Sequence, residues 1–318
     1  MKKSIYILCS ILMFGMLSCT EEAFYKDEQY KNVVYLLSTE DYNVFPAAYT
    51  FNEDGSASTG YLSIGCGGSL PNPEEITVEL EPDSFLFDKY NTGNFDVDSS
   101  KFAHILAPDK YSIESMTINF PANNADQYVR VPIKVDLKNL SPDSTYFIPL
   151  AIKHLSKYET NPEKFNMLYK VSIKNYYAEQ LTPTYYLMKG TTLDAQGVVS
   201  GMISSTKLVK PLSIRSVRMY AGAQPETAKS TVEEIRKYSI VVSIDENNKV
   251  TITPYGTIEV QQMPYDDYWN SYEEIKPEES TTFKKYLYLY YRYRTLTSPG
   301  VWSSWVTVKE NMYRMESN

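Results

Sequence analysis

The chain has 318 residues, 43% hydrophobic and 22% charged, with 39 acidic against 31 basic side chains and a net charge of −8. Composition this close to the globular average excludes a disordered or collagen-like polymer, and an acidic surface that repels phosphate excludes a nucleic-acid scaffold. The aromatic content is unusual in kind: 29 Tyr beside 12 Phe and 3 Trp, so most rings carry a hydroxyl that tolerates partial exposure.

Residues 1–18 show the zones of a removable export signal: Lys2 and Lys3, an uncharged apolar run from Ile5 to Leu17, then Ser18 before Cys19. The run is too short to span a bilayer as a mature helix. Met16-Leu17-Ser18-Cys19 resembles the lipobox of bacterial lipoproteins, with Met where Leu is usual. That resemblance implies acylation of the Cys19 thiol and a lipid-anchored protein of the outer membrane, facing the cell exterior. Each acyl methylene buried in the bilayer contributes about 0.8 kcal/mol to such an anchor. Cys9 leaves with the signal and Cys19 is consumed by lipid, so Cys66 stands alone and no internal disulfide is expected. One thiol with His104 and His154 falls short of a structural zinc set; no metal and no cofactor is expected. Residues 19–31 read as an acidic tether. Its Glu21 and Glu22, directly behind the anchor, resemble the surface-export signal of Bacteroidota lipoproteins.

Short alternating segments follow: Val33 to Leu37, Tyr61 to Cys66, Ile76 to Leu80, Ser112 to Phe120, Tyr128 to Leu137, Tyr146 to His154 and Leu168 to Ile173. Pro, Gly, Asn and Asp clusters separate them, which predicts an immunoglobulin-like β-sandwich over residues 25–175. Ser63 to Ser69 lacks the Lys-Ser/Thr ending of a phosphate loop and reads as glycines ending a strand. Asn91 to Asp98 offers oxygen ligands at alternate positions without the distal Glu of a calcium loop, and reads as a satisfied turn. Leu140 to Tyr146 resembles the tyrosine corner of immunoglobulin-like domains, whose hydroxyl bonds an upstream backbone group.

Asn175 to Pro183 has no strand period and reads as a junction. Beyond it, segments at Tyr185 to Lys189, Leu212 to Tyr220, Ser239 to Ile244, Val250 to Thr253, Thr257 to Val260, Phe283 to Arg294 and Val301 to Val308 predict a second β domain over residues 180–318. Turns at Asp245 to Asn248 and Ser298 to Gly300 join neighbouring segments. The whole is all-β: the sandwich, then an antiparallel β-barrel (calycin-like) or a second sandwich, with one short helix at Thr227 to Lys237.

Within that second domain, Met263 to Tyr272 interleaves Tyr265, Tyr268, Trp269 and Tyr272 with Asp266 and Asp267 in a Pro-initiated loop. Sugars present flat C–H faces and rims of hydroxyls, so a ring platform flanked by short polar side chains suits them. The competing reading is a loop whose rings merely cover the mouth of the domain. In the last long strand, alternation puts Tyr286, Tyr288, Tyr290 and Arg292 on one face and Leu287, Leu289, Tyr291 and Tyr293 on the other. Arg292 with Trp302 and Trp305 completes the candidate binding set, against the alternative that such pairs only brace a sheet. At least one Trp is expected in the core.

Several stretches are familiar together: Tyr30 to Leu36, Ser63 to Ser69, Ile76 to Leu80, Pro108 to Tyr111 and Tyr146 to Leu150, then Tyr186 to Gly190, Ser216 to Tyr220 and Tyr288 to Tyr293. They resemble a two-domain family of lipoproteins in gut Bacteroidota, many encoded in glycan-utilisation loci. The resemblance implies glycan capture outside the outer membrane, as an accessory to uptake, and supplies no catalytic residues. The resulting expectation is a non-catalytic surface lipoprotein that binds an oligosaccharide or polysaccharide. The alternative is a structural or interaction lipoprotein that docks on an outer-membrane transporter or another surface lipoprotein, using the same rings as anchors. A glycoside hydrolase comes third, because it needs two facing carboxylates and nothing marks a pair.

Overall fold

A computed structural model describes residues 28, 30–227, 229–264, 268–278 and 280–317. The signal, Cys19, most of the tether, and Tyr265, Asp266 and Asp267 of the candidate loop lie outside the described residues. The chain divides into two units. One comprises Met1–Phe45, Tyr61–Ile133 and Phe147–Lys170; the other comprises Pro46–Gly60, Lys134–Tyr146 and Val171–Asn318.

The first eleven strands are β1 (Val33–Leu36), β2 (Val44–Thr50), β3 (Ser58–Gly67), β4 (Ile76–Pro82), β5 (His104–Ile105), β6 (Tyr111–Ile113), β7 (Thr117–Phe120), β8 (Tyr128–Val135), β9 (Tyr146–Leu155), β10 (Glu159–Thr160) and β11 (Asn166–Lys174). They form the two sheets of a sandwich, ordered β10-β1-β3-β8-β6 and β2-β11-β9-β4-β7, with β5 on β9. Strands β1 and β8 alternate buried and exposed side chains, as a half-covered sheet requires. Strand β9 is instead buried continuously from Phe147 to Ile152, because its second face is also covered. Helix α1 (Phe85–Phe95) contributes that cover, with Leu86 clustering on Phe147 and Leu168, and Phe87 and Tyr90 packed against them.

Helix α1 corrects the expectation of a single short helix. Of its residues only Leu86 and Asn91 are buried, so the sequence FLFDKYNTGNF has no apolar stripe to read. Asn91, read from sequence as part of a satisfied turn, is a helix residue whose amide is spent on both backbone groups of Ala103 (2.8 and 3.3 Å). The segment read as one strand over Ser112 to Phe120 breaks at residue 114, and its halves join different sheets. At the end of β3, Glu28 is held by the backbone and hydroxyl of Ser69 (both 2.6 Å) and the Leu70 N–H (3.1 Å). Those bonds, the Ser69 hydroxyl's foremost, lower its carboxyl to about 2.

The remaining strands are β12 (Thr184–Leu193), β13 (Val199–Ser213), β14 (Ser216–Tyr220), β15 (Ser239–Ile244), β16 (Val250–Pro254), β17 (Glu259–Gln262), β18 (Ser271–Ile275), β19 (Thr282–Arg294), β20 (Leu296–Ser298), β21 (Val301–Trp302) and β22 (Val306–Ser317). Between β14 and β15 lies helix α2 (Val232–Tyr238), opened by a capping box in which Thr231 and Glu234 satisfy each other's backbone N–H. Strands run in meander order β16-β15-β14-β13-β12-β22-β19-β17, with β18 on β19 and a small β20–β21 hairpin apart. A long β13 that turns at Ile214 and Arg215 replaces the single expected strand from Leu212 to Tyr220.

This sheet is nearly closed, which decides for a barrel over a second sandwich. The Gln262 side chain acts as a missing stretch of strand: it accepts from the Ile252 N–H (2.8 Å) and donates to the Val250 carbonyl (3.0 Å). The first residues of β18 extend the seam, with Val250 N–H on the Asn270 carbonyl (2.9 Å) and Tyr272 N–H on that of Asn248 (2.8 Å). Apolar side chains fill the interior, among them Tyr186, Met219, Val242, Leu287, Leu289, Tyr291 and Met312. One charged pair is shut in with them. Lys207 and Glu310 are ion-paired at 3% and 0% side-chain exposure, and the Tyr291 hydroxyl donates to Glu310. Gly222 N–H bonds the Tyr291 hydroxyl (2.8 Å) and Glu310 (3.0 Å). Gly222 has φ +56°, and a Cβ there would lie 2.8 Å from the Tyr293 hydroxyl, so the network requires glycine.

Segment Asn175 to Pro183 is anchored rather than loose. The Asn175 amide donates to the carbonyls of Ser213 (2.7 Å) and Ser216 (2.9 Å) and accepts from the N–H groups of Tyr177 and Ala178, and both of those residues are buried. Earlier in the same unit, the Tyr146 hydroxyl accepts the Ser141 N–H (3.1 Å), the bond the tyrosine-corner resemblance implies.

Candidate functional site

The period of two along β19 sorts its residues onto two faces, although Tyr288, on the outer one, is itself only 9% exposed. Lys285, Leu287, Leu289, Tyr291 and Tyr293 are buried inward, and Tyr286, Tyr288, Tyr290, Arg292 and Arg294 line the outer wall. Register then adds neighbours that the strand alone does not name: Tyr313 opposite Tyr286, Lys309 opposite Tyr290, and Glu273 of β18 beside Tyr286.

The described residues on either side of positions 265–267 lie on this wall. Asn270, fully buried at φ +58°, accepts the Tyr290 N–H (2.9 Å) and donates to the Met263 carbonyl (3.2 Å), while Met263 N–H bonds the Tyr290 carbonyl (3.0 Å). Both ends of the loop are thereby fixed to β19. Tyr268 stacks on Trp269 (5.0 Å, 30°) and meets Tyr288 edge-on (5.0 Å, 78°). Trp269 sits over Tyr288 and Tyr290 (6.5 and 6.3 Å). The Lys309 ammonium lies 5.3 Å from the Trp269 ring centre and 4.6 Å from that of Tyr290, close enough for cation–π attraction. Tyr286 and Tyr288 are almost parallel (4°) at 5.8 Å, and Tyr286 continues to Tyr313 at 5.4 Å.

Of the sequence-predicted residues, the structure gathers Tyr268, Trp269, Arg292, Trp302 and Trp305 on this wall. Tyr268 is the exposed member at 53%, and Trp269 is half-buried beneath it. Arg292 lies over Trp305 (4.7 Å) and is held by Gln261 (2.8 Å); Arg294 lies over Trp302 (5.0 Å) and Trp305 (4.8 Å) and is held by Glu259 (2.6 Å). Those two tryptophans therefore already carry guanidinium groups on one face. None of the three Trp is buried, against the expectation of at least one in the core. Tyr272 is corrected as well: it is 6% exposed, faces the barrel core edge-on to Tyr177 (5.1 Å) and donates to Glu274, because the same alternation that turns Ser271 and Glu273 outward turns it inward. Burial first, then the charge of Glu273, pushes the Tyr288 hydroxyl up to about 12, and that hydroxyl donates to Glu273 (3.3 Å).

Lys309, Tyr313 and Glu273 are the members that sequence reading missed. The only sequence signal was the i, i+2 spacing of Lys309, Asn311 and Tyr313, which does not say which strand stands alongside. Chemically the wall offers nearly parallel rings edged by hydroxyl, carboxylate and ammonium groups. That combination supports stacking and hydrogen bonding at a ligand's rim.

A sandwich followed by an up-and-down barrel with an aromatic outer wall defines a two-domain, all-β protein. Family models agree: one, described as an N-terminal domain, matches residues 30–159, and its companion, described as C-terminal, matches residues 165–313. The chain belongs to this two-domain Bacteroidota family. The fold recurs in a Bacteroides ovatus protein of unknown function, with 17% identity over 89% of this chain and 94% of the other (TM-score 0.68). A multidomain protein from Bacteroides ovatus shares it at 16% identity, 90% and 95% coverage (TM-score 0.62). So does an auxiliary nutrient binding protein from Bacteroides thetaiotaomicron, at 14% identity, 88% and 93% coverage (TM-score 0.61). No curated protein matches the sequence.

Proposed function

We propose that the protein is a non-catalytic glycan receptor, held on the outer face of the outer membrane by acylation of Cys19 and serving a glycan uptake system. One observation carries the reading: on the outer wall of β19 the part-exposed Tyr286 lies nearly parallel to Tyr288, which is itself covered to 9% exposure, while Tyr268 stands 53% exposed against Tyr288, with Glu273 and Lys309 at the edges. A pyranose needs such a flat ring surface for its C–H face and polar groups around it for its hydroxyls. The nutrient-binding description of the Bacteroides thetaiotaomicron neighbour and the lipobox resemblance support it.

The alternative of docking on a transporter or another surface lipoprotein draws on a different feature of the barrel, the exposed Tyr185, Leu187, Met202 and Met315 of β12, β13 and β22. Native electrophoresis in gels containing mannan, levan, xyloglucan or pullulan tests the glycan reading. The wild type is expected to be retarded by at least one of them, and Tyr268→Ala with Trp269→Ala to run unretarded in the same gel. Equal retardation of the variant, or no retardation of the wild type by any polysaccharide, removes the reading. Tyr268 is exposed and Trp269 half-buried outside the barrel core, so the variant should still unfold in one cooperative transition, at somewhat lower stability than the wild type.

A further inference from the structure

We propose that the sandwich carries a second ligand site, a cleft against the start of α1 that takes a single pyranose ring of a glycan. The cleft has a volume of about 460 Å³, within the range of small-ligand sites, and is lined by Asp41, Tyr42, Phe85, Lys89, Glu163 and Phe165 over a floor of Asn43 and Asn166. It lies wholly in the first unit and uses no residue of the barrel wall. It shares with the proposed function only the class of ligand.

Two of its rings have no evident structural employment. Phe85 is 65% exposed and Phe165 38%, whereas Tyr42, Phe87 and Tyr90 pack against the neighbouring core cluster. An exposed ring beside a concavity, with a half-buried tyrosine opposite, offers a stacking surface already dry on its inner side.

The floor is built and fixed. Asn43 donates to the Glu163 carbonyl (2.7 Å) and to the Asn166 side chain (3.3 Å); Asn166, 4% exposed, donates to Asp83 (3.2 Å); Asp83 in turn accepts the Phe85 N–H (3.1 Å). This chain of bonds ties the three wall segments together, so little ordering is left to occur on binding. It includes an unfavourable backbone: Tyr42 (φ 56°, ψ 28°) and Asn43 (φ 51°) are both left-handed, a conformation that Asn tolerates but that costs a tyrosine roughly 1–2 kcal/mol. Tyr42 is held so by edge-on contact with Tyr90 (5.7 Å) and by the gap at Gly93, where a Cβ would lie 2.2 Å from its hydroxyl. Strain of this kind at a cleft wall is a pointer to function.

The rim decides the ligand class. The side chains of Asp41, Lys89 and Glu163 form no ion pair or hydrogen bond with one another or with other described residues, although all three border the same cleft. Two carboxylates and an ammonium around rings fit the alternating donors and acceptors of sugar hydroxyls, and a wholly apolar ligand would leave them without partners.

Amide resonances of the purified protein, followed during separate additions of methyl α-mannopyranoside, methyl β-glucopyranoside, methyl β-galactopyranoside and N-acetylglucosamine, test the site. The signals of Asn43, Phe85, Lys89 and Asn166 are expected to move saturably with at least one probe. Phe85→Ala, a change at an exposed position, should weaken that response about tenfold or more, a loss of about 1.4 kcal/mol, while signals elsewhere stay in place. Four stationary signals with every probe overturn the proposal, as does an undiminished response in Phe85→Ala. Signals of Tyr268, Trp269 and Tyr290 report the barrel wall in the same spectra, so the two sites fail or stand separately.

Discussion

The two faces of β19 are built from nearly the same residues and do opposite things. Inward, Tyr291 gives its hydroxyl to Glu310 and Leu287 and Leu289 fill the barrel around it. Outward, Tyr286, Tyr288 and Tyr290 lie side by side, bordered by Glu273 and Lys309. Aromatic content therefore does not distinguish the core from the outer wall in this protein. What distinguishes them is how far the rings are closed over: Tyr291 is sealed at 0% exposure, whereas Tyr286 and Tyr290 stay part-exposed and only Tyr288 between them is covered.

The largest effect is expected from opening the inward network. Glu310→Ala leaves Lys207 buried without its counter-charge, and a broken buried pair costs about 3–5 kcal/mol. Chemical denaturation should show a loss of that size, and a loss below about 1 kcal/mol would mean that the pair is not sealed in the core.

Adjacent positions sharpen the contrast next. Leu289→Ala, at 0% exposure, should cost about 2–5 kcal/mol, whereas Tyr290→Ala on the outer wall should cost about 1 kcal/mol or less. The same denaturation series measures both, and equal losses would erase the distinction between the faces.

The smallest effect is a titration. The Tyr288 hydroxyl, raised from an ordinary 10 to about 12 by burial and by Glu273, keeps its proton in the folded chain after the unfolded chain has released it. Stability should therefore fall as pH rises between those values, and Tyr288→Phe should flatten that part of the curve. Tyr291, pushed well above its ordinary value by burial and then by Glu310, should ionise only on unfolding. A tyrosinate absorbance step near 12 that survives in Tyr288→Phe would show the assignment to be mistaken.

Local pattern made much of this legible. Alternation located most strands of both units and the split of β19 into two faces. Helix α1 escaped because its cover of β9 needs few apolar side chains and its sequence holds Asn, Thr and Gly. Tyr272 was misread because a loop has no faces until its strand pairs; once β18 pairs with β19, the position is inward.

By itself the sequence determined an all-β chain in two parts and a concentration of rings near the end, because period, breakers and composition are local properties. Only tertiary structure decided that the second part closes into a barrel, that Lys309, Tyr313 and Glu273 join the ring wall, and that Tyr42, Phe85 and Phe165 meet around one cleft. These depend on register and on contacts between segments more than 120 residues apart, as between Asn43 and Asn166. No local spacing encodes them; they follow from which packing of the strands buries the apolar faces and satisfies the polar groups at once.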